Sequence, residues 1–184
     1  MDKLLILGAG GFGRMVKETA QLLGYEDVVF LDDAAKNSDV IGKCCDYAAK
    51  HEEYKVAVAA FGNNNTRLFW TDKLLEAGFE VPAIVHPSAV VSPSAVLEAG
   101  CFVMQRAVVN TNSRIGRASL INSGAVVDHD SVIGYGAHVG LGAIVKSNCT
   151  IQPKKRVEAG EVIFSTRRKI EGVDSRALED ALYA

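Results

Sequence analysis

An aliphatic residue recurs at every sixth position through the second half of the chain. Starting at Val85, all fourteen such positions hold Val, Ile or Leu. Two residues before each one stands a second column, which is Ala, Ser or Cys from Ala83 to Cys149 and fails at Lys155 and Glu161. A period of six fits neither an α-helix nor an ordinary strand. Two such columns in phase predict a repeat architecture.

The repeat predicts a solenoid whose coils have three short sides. One aliphatic side chain would point inward on each side, and the small residue would lie at the corner, where the backbone is crowded. Eighteen residues would make one coil, and successive coils would stack at the inter-strand spacing of about 4.8 Å. Each coil buries its inner face only against its neighbours, as in other repeat proteins. We expect this domain to span residues 83–165.

The first half of the chain, residues 1–82, has a different pattern. Continuous apolar runs predict buried parallel strands at 3–8, 27–33, 54–62 and 79–85. Helical spacing predicts an amphipathic helix after "GAGGFG" and a second helix over 65–78, each ended by a glycine. The order β-α-β-β-α-β predicts an open, mostly parallel sheet in a small Rossmann-like domain.

Ligands of such sheets bind beyond the carboxyl ends of the strands, where three loops would converge. The first is the glycine loop, in which glycines admit a phosphate close to the backbone and the helix N-terminus attracts it. An acid after the second strand accepts hydrogen bonds from a ribose or a base. The alternative is a tight strand–helix turn without a ligand. The candidate residues are Gly8, Gly10, Gly11, Phe12, Gly13, Asp32, Asp33 and Asn63.

Composition excludes several classes of protein. A domain of about 80 residues is half of a full dinucleotide fold, which favours a mononucleotide over NAD. The net charge of −2 gives no support for nucleic acid as the main partner. The chain has no apolar run of membrane-spanning length and no signal-peptide pattern. Its four cysteines lack metal-ligand spacing, which predicts reduced thiols, no metal site and a cytoplasmic location.

Several segments together resemble a known enzyme family. They are "LILGAGGFGRMVKETA", "VVFLDD", "FGNNNTR", "IVHPSAVVSPSAV", "LINSGAVVDHDSVIG" and "AHVGLGAIV". The chain resembles the hexapeptide-repeat, left-handed β-helix sugar acyltransferases of the sialic acid O-acetyltransferase type, a group that includes N-acetyltransferases of UDP- or GDP-linked amino sugars. The resemblance implies acetyl-CoA as co-substrate and a homotrimer with sites between neighbouring β-helices.

The resemblance also implies roles for particular residues. His129 would be the general base, with Asp130 as its orienting acid, although relatives often carry Glu there. Asn122 would lie next to the acceptor amine. The alternative for "DHD" is a polar corner exposed to water. Contacts with acetyl-CoA are expected from His138, Gly140 and Ser147, and contacts with the nucleotide sugar from Asp32, Asp33, Asn63 and Arg67. The alternative for Arg67 is a solvated helix residue.

Two departures from the family pattern bear on function. Phe12 stands where many relatives have a histidine, so it either alters the choice of acceptor or only packs. The segment after residue 152 loses the small corner residues and carries a basic tail, which either holds CoA phosphates or caps the coil stack with a C-terminal helix over 174–184. The sequence therefore predicts an N-acetyltransferase of a nucleotide amino sugar, with sialic acid O-acetylation or non-catalytic sugar-nucleotide binding as alternatives.

Overall fold

The computed structural model describes residues 2–35 and 38–165. Its N-terminal part is a parallel sheet of three strands in the order β2-β1-β3, with helices packed against it. The predicted α/β unit is therefore confirmed. The elements are β1 (Asp2–Leu7), α1 (Gly11–Leu22), β2 (Tyr25–Leu31), a 3-10 helix (Cys44–Lys50), β3 (Ala57–Ala59) and α2 (Asn64–Glu76).

The prediction that residues 79–85 form a fourth strand of this sheet is wrong. Glu80 forms a single parallel bridge to Val56. The next apolar residues, Ile84 and Val85, instead form β4 and pair with the second part of the chain. The apolar pattern of 79–85 could not show whether this segment pairs with the N-terminal sheet or with the second part of the chain, because the same side chains are buried in both cases. The sequence reading also missed the 3-10 helix, which shows no helical or alternating apolar pattern.

The second part is a left-handed parallel β-helix; the repeat predicts the three-sided solenoid, and the family resemblance implies its handedness. Each short strand pairs with the strand one coil away, so that Val127 lies between Val109 and Val145. The strands form three sheets. Sheet I contains β4 (Ile84–Val85), β7 (Phe102–Val103), β10 (Leu120–Ile121), β13 (His138–Val139) and β16 (Arg156–Val157).

The other two sheets complete the triangular cross-section of the solenoid. Sheet II contains β5 (Val90–Val91), β8 (Val108–Val109), β11 (Val126–Val127), β14 (Ile144–Val145) and β17 (Val162–Ile163). Sheet III contains β6 (Val96–Leu97), β9 (Arg114–Ile115), β12 (Val132–Ile133) and β15 (Thr150–Ile151). We name the corners by the sheets they join, in chain order: I/II, II/III and III/I.

The two repeat columns have the predicted directions. The aliphatic column fills the solenoid interior, and Val109, Ile115 and Val127 are fully buried. The small column lies at the corners, where Ser113 donates a hydrogen bond of 2.8 Å to the carbonyl of Asp128 in the next coil. A buried hydroxyl is tolerated there because it is paired.

The N-terminal part covers the outer face of sheet I. Ile84, Phe102 and Leu120 of that face belong to the same buried cluster as the core of the three-stranded sheet. Helix α2 reaches the III/I corner, where Asn64 donates a hydrogen bond of 3.0 Å to the carbonyl of Lys154. Sheets II and III are left outside this contact.

The sequence predicts a C-terminal helix and no membrane-spanning segment. The expected C-terminal helix over 174–184 lies outside the described residues. Among the residues that the structure describes, no helix combines the length and apolarity that a membrane span requires.

We expect Ile115→Ala to lower the free energy of unfolding by about 2–5 kcal/mol, because it leaves a cavity in the solenoid interior. The matched control is Val132→Ala on the outer face of the same sheet, where the side chain is exposed. That change is expected to cost less than about 1 kcal/mol. Chemical denaturation measures both, and equal losses would contradict the inward assignment of the column.

Candidate functional site

The glycine loop between β1 and α1 leaves an open helix N-terminus. Gly8 has a left-handed φ of +99°, and a Cβ on Gly13 would overlap the carbonyl oxygen of Gly8, so the turn requires both glycines. Gly10 and Gly11 face open space and are exposed. Among the described residues, no side chain caps the helix at Gly10. The unpaired N–H groups and the helix dipole are therefore available to a phosphate.

Two aspartates follow β2 and shape the neighbouring loop. Asp32 accepts hydrogen bonds from the backbone N–H groups of Ala9, at 2.7 Å, and of Ala34 and Ala35, at 2.8 Å each. Burial opposes ionisation, but these bonds hold the pKa of Asp32 below its usual value. Asp33 accepts a bond of 3.0 Å from the N–H of Cys44. Both line an open pocket of about 350 Å³ with Ala34, Ala35, Val40, Gly42 and Lys43.

The third loop places Asn63 at the start of α2. Its side-chain oxygen accepts a hydrogen bond of 3.0 Å from the N–H of Thr66, and the residue is exposed. The cap fixes Asn63 at the sheet edge where the glycine loop and the aspartates also lie.

Arg67 does not belong to this edge, and both sequence readings of it are wrong. The side chain is fully buried, so it is not a solvated helix residue. Its nitrogens donate hydrogen bonds to backbone carbonyls, among them those of Phe61 and Ala118, so they are not free to bind a phosphate. Arginine is rarely buried, and no local pattern marks this one.

Phe12 packs rather than projecting into the loop opening. It is half-buried, and its ring meets the ring of Phe102 edge-on at 5.1 Å between centroids. The pair joins the glycine loop to the outer face of sheet I. Packing is therefore the reading of Phe12 that the geometry favours.

His129 projects from the II/III corner, as the register of the repeat predicts. Its Nδ1 lies 2.7 Å from Oδ2 of Asp130, and both side chains are about half exposed. Asp130 has a left-handed φ of 56°, which turns its carboxylate back toward the preceding ring. The aspartate therefore reaches the imidazole without the extra methylene of a glutamate.

A small polar network holds this pair in place. Asn112, one coil below, donates a hydrogen bond of 3.2 Å to Asp130. Asp128 accepts bonds from the N–H of His129, at 2.9 Å, and from the amide of Asn110, at 3.1 Å. The hydrogen bond to Asp130 raises the pKa of His129, while the same bond lowers the pKa of Asp130. A neutral ring that donates from Nδ1 carries its lone pair on Nε2.

The second candidate histidine has a different environment. His138 lies on the outer face of sheet I and is buried, with its Nε2 3.1 Å from the amide nitrogen of Asn122. Burial first, and then the charges of Arg67 and Arg156, lower the pKa of His138 to about 4. The ring is therefore neutral near pH 7. Its Nδ1 is buried and has no hydrogen-bond partner among the described residues.

The two remaining cofactor candidates lie on different corners. Gly140 follows β13 at the I/II corner, where a Cβ would lie 2.7 Å from the carbonyl oxygen of Val157 in the next coil. Ser147 is half-buried at the II/III corner, one coil beyond His129. Within residues 2–35 and 38–165, no cluster of His, Cys, Asp or Glu is suited to hold a metal ion.

The candidate groups fall on opposite sides of one chain. The glycine loop belongs to the part that covers sheet I, whereas the II/III corner with His129 is the corner opposite sheet I. Asn122 and Gly140 lie at the I/II corner, across sheet II from His129. The structure therefore brings Asn122 together with His138, and His129 with Asp130 and Ser147, but it does not join the two groups within one chain.

We expect Asp130→Asn to lower the pKa of His129, because the change removes the carboxylate that favours the imidazolium. Asparagine tolerates the left-handed φ at this position, so the corner is retained. The control Asn112→Ala keeps the carboxylate and is expected to move the pKa less. NMR titration of the ring protons measures both, and an unchanged pKa in Asp130→Asn would show that the contact does not persist in solution.

Both parts of the chain are similar to known proteins. Residues 3–74 match the family model described as the PglD N-terminal domain. A structure of a perosamine N-acetyltransferase from Caulobacter crescentus, a histidine-to-asparagine mutant in complex with CoA and GDP-perosamine, is similar with a TM-score of 0.80. The two sequences are 30% identical, and the match covers 89% of each chain.

The acetyltransferase domain of PglB from Neisseria gonorrhoeae FA1090 is similar with a TM-score of 0.69 and 32% identity, over 89% of this chain and 92% of that one. Its complex with acetyl coenzyme A gives a TM-score of 0.68 and 30% identity, over 88% of this chain and 92% of that one. Both parts of the chain are therefore shared with these enzymes, and the chain belongs to the hexapeptide-repeat sugar acyltransferases.

Proposed function

We propose that this protein transfers the acetyl group of acetyl-CoA to the amino group of a sugar carried on a nucleotide, with His129 as the general base. The observation that carries the proposal is the His129–Asp130 pair, held at 2.7 Å on an outward corner of the solenoid. The matched Caulobacter enzyme, bound to CoA and GDP-perosamine, supports the same reaction class.

The reaction needs a neutral amine and a base within reach of it. The amine nitrogen attacks the thioester carbonyl, a C–N bond forms, and the C–S bond breaks. Nε2 of His129 takes the proton that the nitrogen loses and passes it to the departing thiolate of CoA. Asp130 holds the ring orientation and stabilises the imidazolium that forms.

The N-terminal part supplies the site for the nucleotide. The open N–H groups at Gly10 and Gly11 receive the phosphates, and the pocket beside Asp32 and Asp33 receives the rest of the nucleotide. Asn63 borders the same edge. This assignment is supported by the matched N-terminal family model and by the open space at these glycines.

The acyl donor lies between chains in this proposal. Ser147 stands beside the base, whereas Gly140 and His138 stand near the I/II corner, so the acetyl-CoA contacts come from two chains. Asn122, the proposed contact of the acceptor amine, lies at the same I/II corner. His138 is neutral near pH 7, so it places no charge beside the acyl group.

A homotrimer completes the site. The outer face of sheet II is wholly aliphatic, formed by Val90, Val108, Val126, Ile144 and Val162. Three of these side chains are exposed in the single chain, Val90 by 63%. A contiguous apolar face of this kind marks an interaction surface. Three chains can form a closed ring that buries this aliphatic face of sheet II. In that ring, the His129 corner of one chain lies against the I/II corner of its neighbour.

A cytoplasmic location belongs to the same proposal. It is supported by the free state of all four cysteines within the described part of the chain, three of which are buried. Such thiols are typical of a reducing compartment.

The assay supplies acetyl-CoA with a panel of UDP- and GDP-linked amino sugars and measures thiol release together with the mass of the product. We expect turnover with at least one acceptor. His129→Asn is expected to keep the wild-type melting temperature and to lose about 10²–10⁴-fold in kcat, the usual share of a general base. The control His51→Asn, at a half-buried histidine of the N-terminal part, is expected to keep kcat within about twofold of the wild-type value.

Three outcomes would overturn parts of the proposal. Full turnover by His129→Asn would remove the histidine from the chemistry. Transfer to a sugar hydroxyl, with none to any amine, would reassign the protein to O-acetylation. Calorimetric binding of a nucleotide sugar without any binding of CoA would identify a sugar-nucleotide-binding protein.

A further inference from the structure

We propose that Arg67 is a positioning residue, which holds the nucleotide-binding loops and the solenoid in the relative placement that acetyl transfer requires. The inference rests on the proposed acetyltransferase function and goes beyond it, since this side chain is fully buried and its hydrogen bonds are to atoms of the chain itself rather than to a ligand. Its role follows from what its three guanidinium nitrogens contact.

Two of these nitrogens hold the N-terminal part. Nη1 donates a hydrogen bond of 2.9 Å to the carbonyl of Phe61, and Nη2 donates one of 2.9 Å to Oδ1 of Asn64. Phe61 belongs to the loop after β3, which ends at the Asn63 cap. The guanidinium therefore fixes the backbone of one of the three loops at the nucleotide edge.

The same group also holds two coils of the solenoid. Nε donates a hydrogen bond of 2.7 Å to the carbonyl of Ala118, and Nη2 donates bonds of 3.2 Å to the carbonyls of Gly136 and Ala137. These carbonyls lie at the III/I corner in two successive coils. Ala137 directly precedes His138, so Arg67 sets the backbone that carries this ring. One planar group thus spans the nucleotide loop and the strand of His138.

The burial of this cation is unusual for an arginine. Its side chain is fully buried, and burial lowers its pKa to about 10. None of the ion pairs between described residues involves it. Backbone carbonyl groups therefore replace the water that hydrates an exposed guanidinium. They stabilise the buried charge only when several carbonyls accept hydrogen bonds from it in the correct geometry. A small displacement of either part breaks that geometry, so the contact selects one placement.

A second arginine joins the same two parts without these properties. Arg117, on the III/I corner, forms an ion pair of 2.8 Å with Asp72 of α2, and both side chains are more than one-third exposed. Exposed pairs of this kind contribute little to stability or to geometry. Arg117 is therefore a matched control for Arg67, because residue type and the elements joined are the same.

The test compares Arg67→Lys with Arg117→Lys in the full chain. Lysine keeps the charge but not the planar fork. For Arg67→Lys we expect kcat to fall at least about tenfold, while the Kd values for CoA and for UDP or GDP stay within about twofold, because each ligand binds one part. Hydrogen exchange is expected to accelerate in residues 61–64 and 134–138. Arg117→Lys is expected to change none of these by more than about twofold.

The proposal is overturned if Arg67→Lys keeps the wild-type kcat, or if its loss of kcat is accompanied by equal losses in the binding of both ligands. If Arg67→Lys does not fold, Asn64→Ala removes one partner and leaves the cation buried. A severalfold lower kcat with unchanged Kd values then supports the proposal, and an unchanged kcat overturns it. Wild-type protein that acetylates no acceptor would refute the proposed function, whereas the hydrogen-exchange comparison would still decide whether Arg67 fixes the two parts.

Discussion

One inward aliphatic side chain on each side of each coil determines the direction of every other residue in the solenoid. Because Val127 points inward, the three residues after it form a corner, and His129 must face outward. The same register places small, buried residues at the corners, where the chain turns from one sheet to the next. The site therefore depends on a packing constraint that extends along the whole repeat and not on the local sequence around the histidine alone.

The arrangement of the two parts of the chain imposes a second constraint. The N-terminal part covers sheet I, and His129 lies at the corner opposite that sheet. A nucleotide sugar held at the glycine loop is thus on the wrong side of its own solenoid to meet its own base. The aliphatic face of sheet II lies between the two groups, and in the proposed trimer its burial against another copy would join them. The charge network around His129, the apolar face and the position of the N-terminal part all support the proposed site shared between two chains.

Much of this could be predicted from the sequence, since a period of six residues carries both the fold and the direction of each side chain. The predictions that failed concern residues whose contacts are distant in sequence. Arg67 binds the carbonyls of residues 118, 136 and 137, and no local sequence pattern predicts these contacts. The role of Asp130 is implied by the family resemblance, but whether its side chain reaches His129 depends on a left-handed φ that residue type alone does not determine. The segment 79–85 is apolar enough for either of two sheets, and only tertiary packing decides between them.

The central claim is that one chain supplies the nucleotide site and its neighbour supplies the base. Gly11→Asp places a carboxylate at the open helix N-terminus, where it repels a diphosphate, and His129→Asn removes the base. Each variant alone should be inactive. Mixed trimers, isolated through two different affinity tags, should recover roughly a third of wild-type activity, because one interface in three of a closed ring pairs two intact halves. Mixed trimers as inactive as the parent variants would contradict the account.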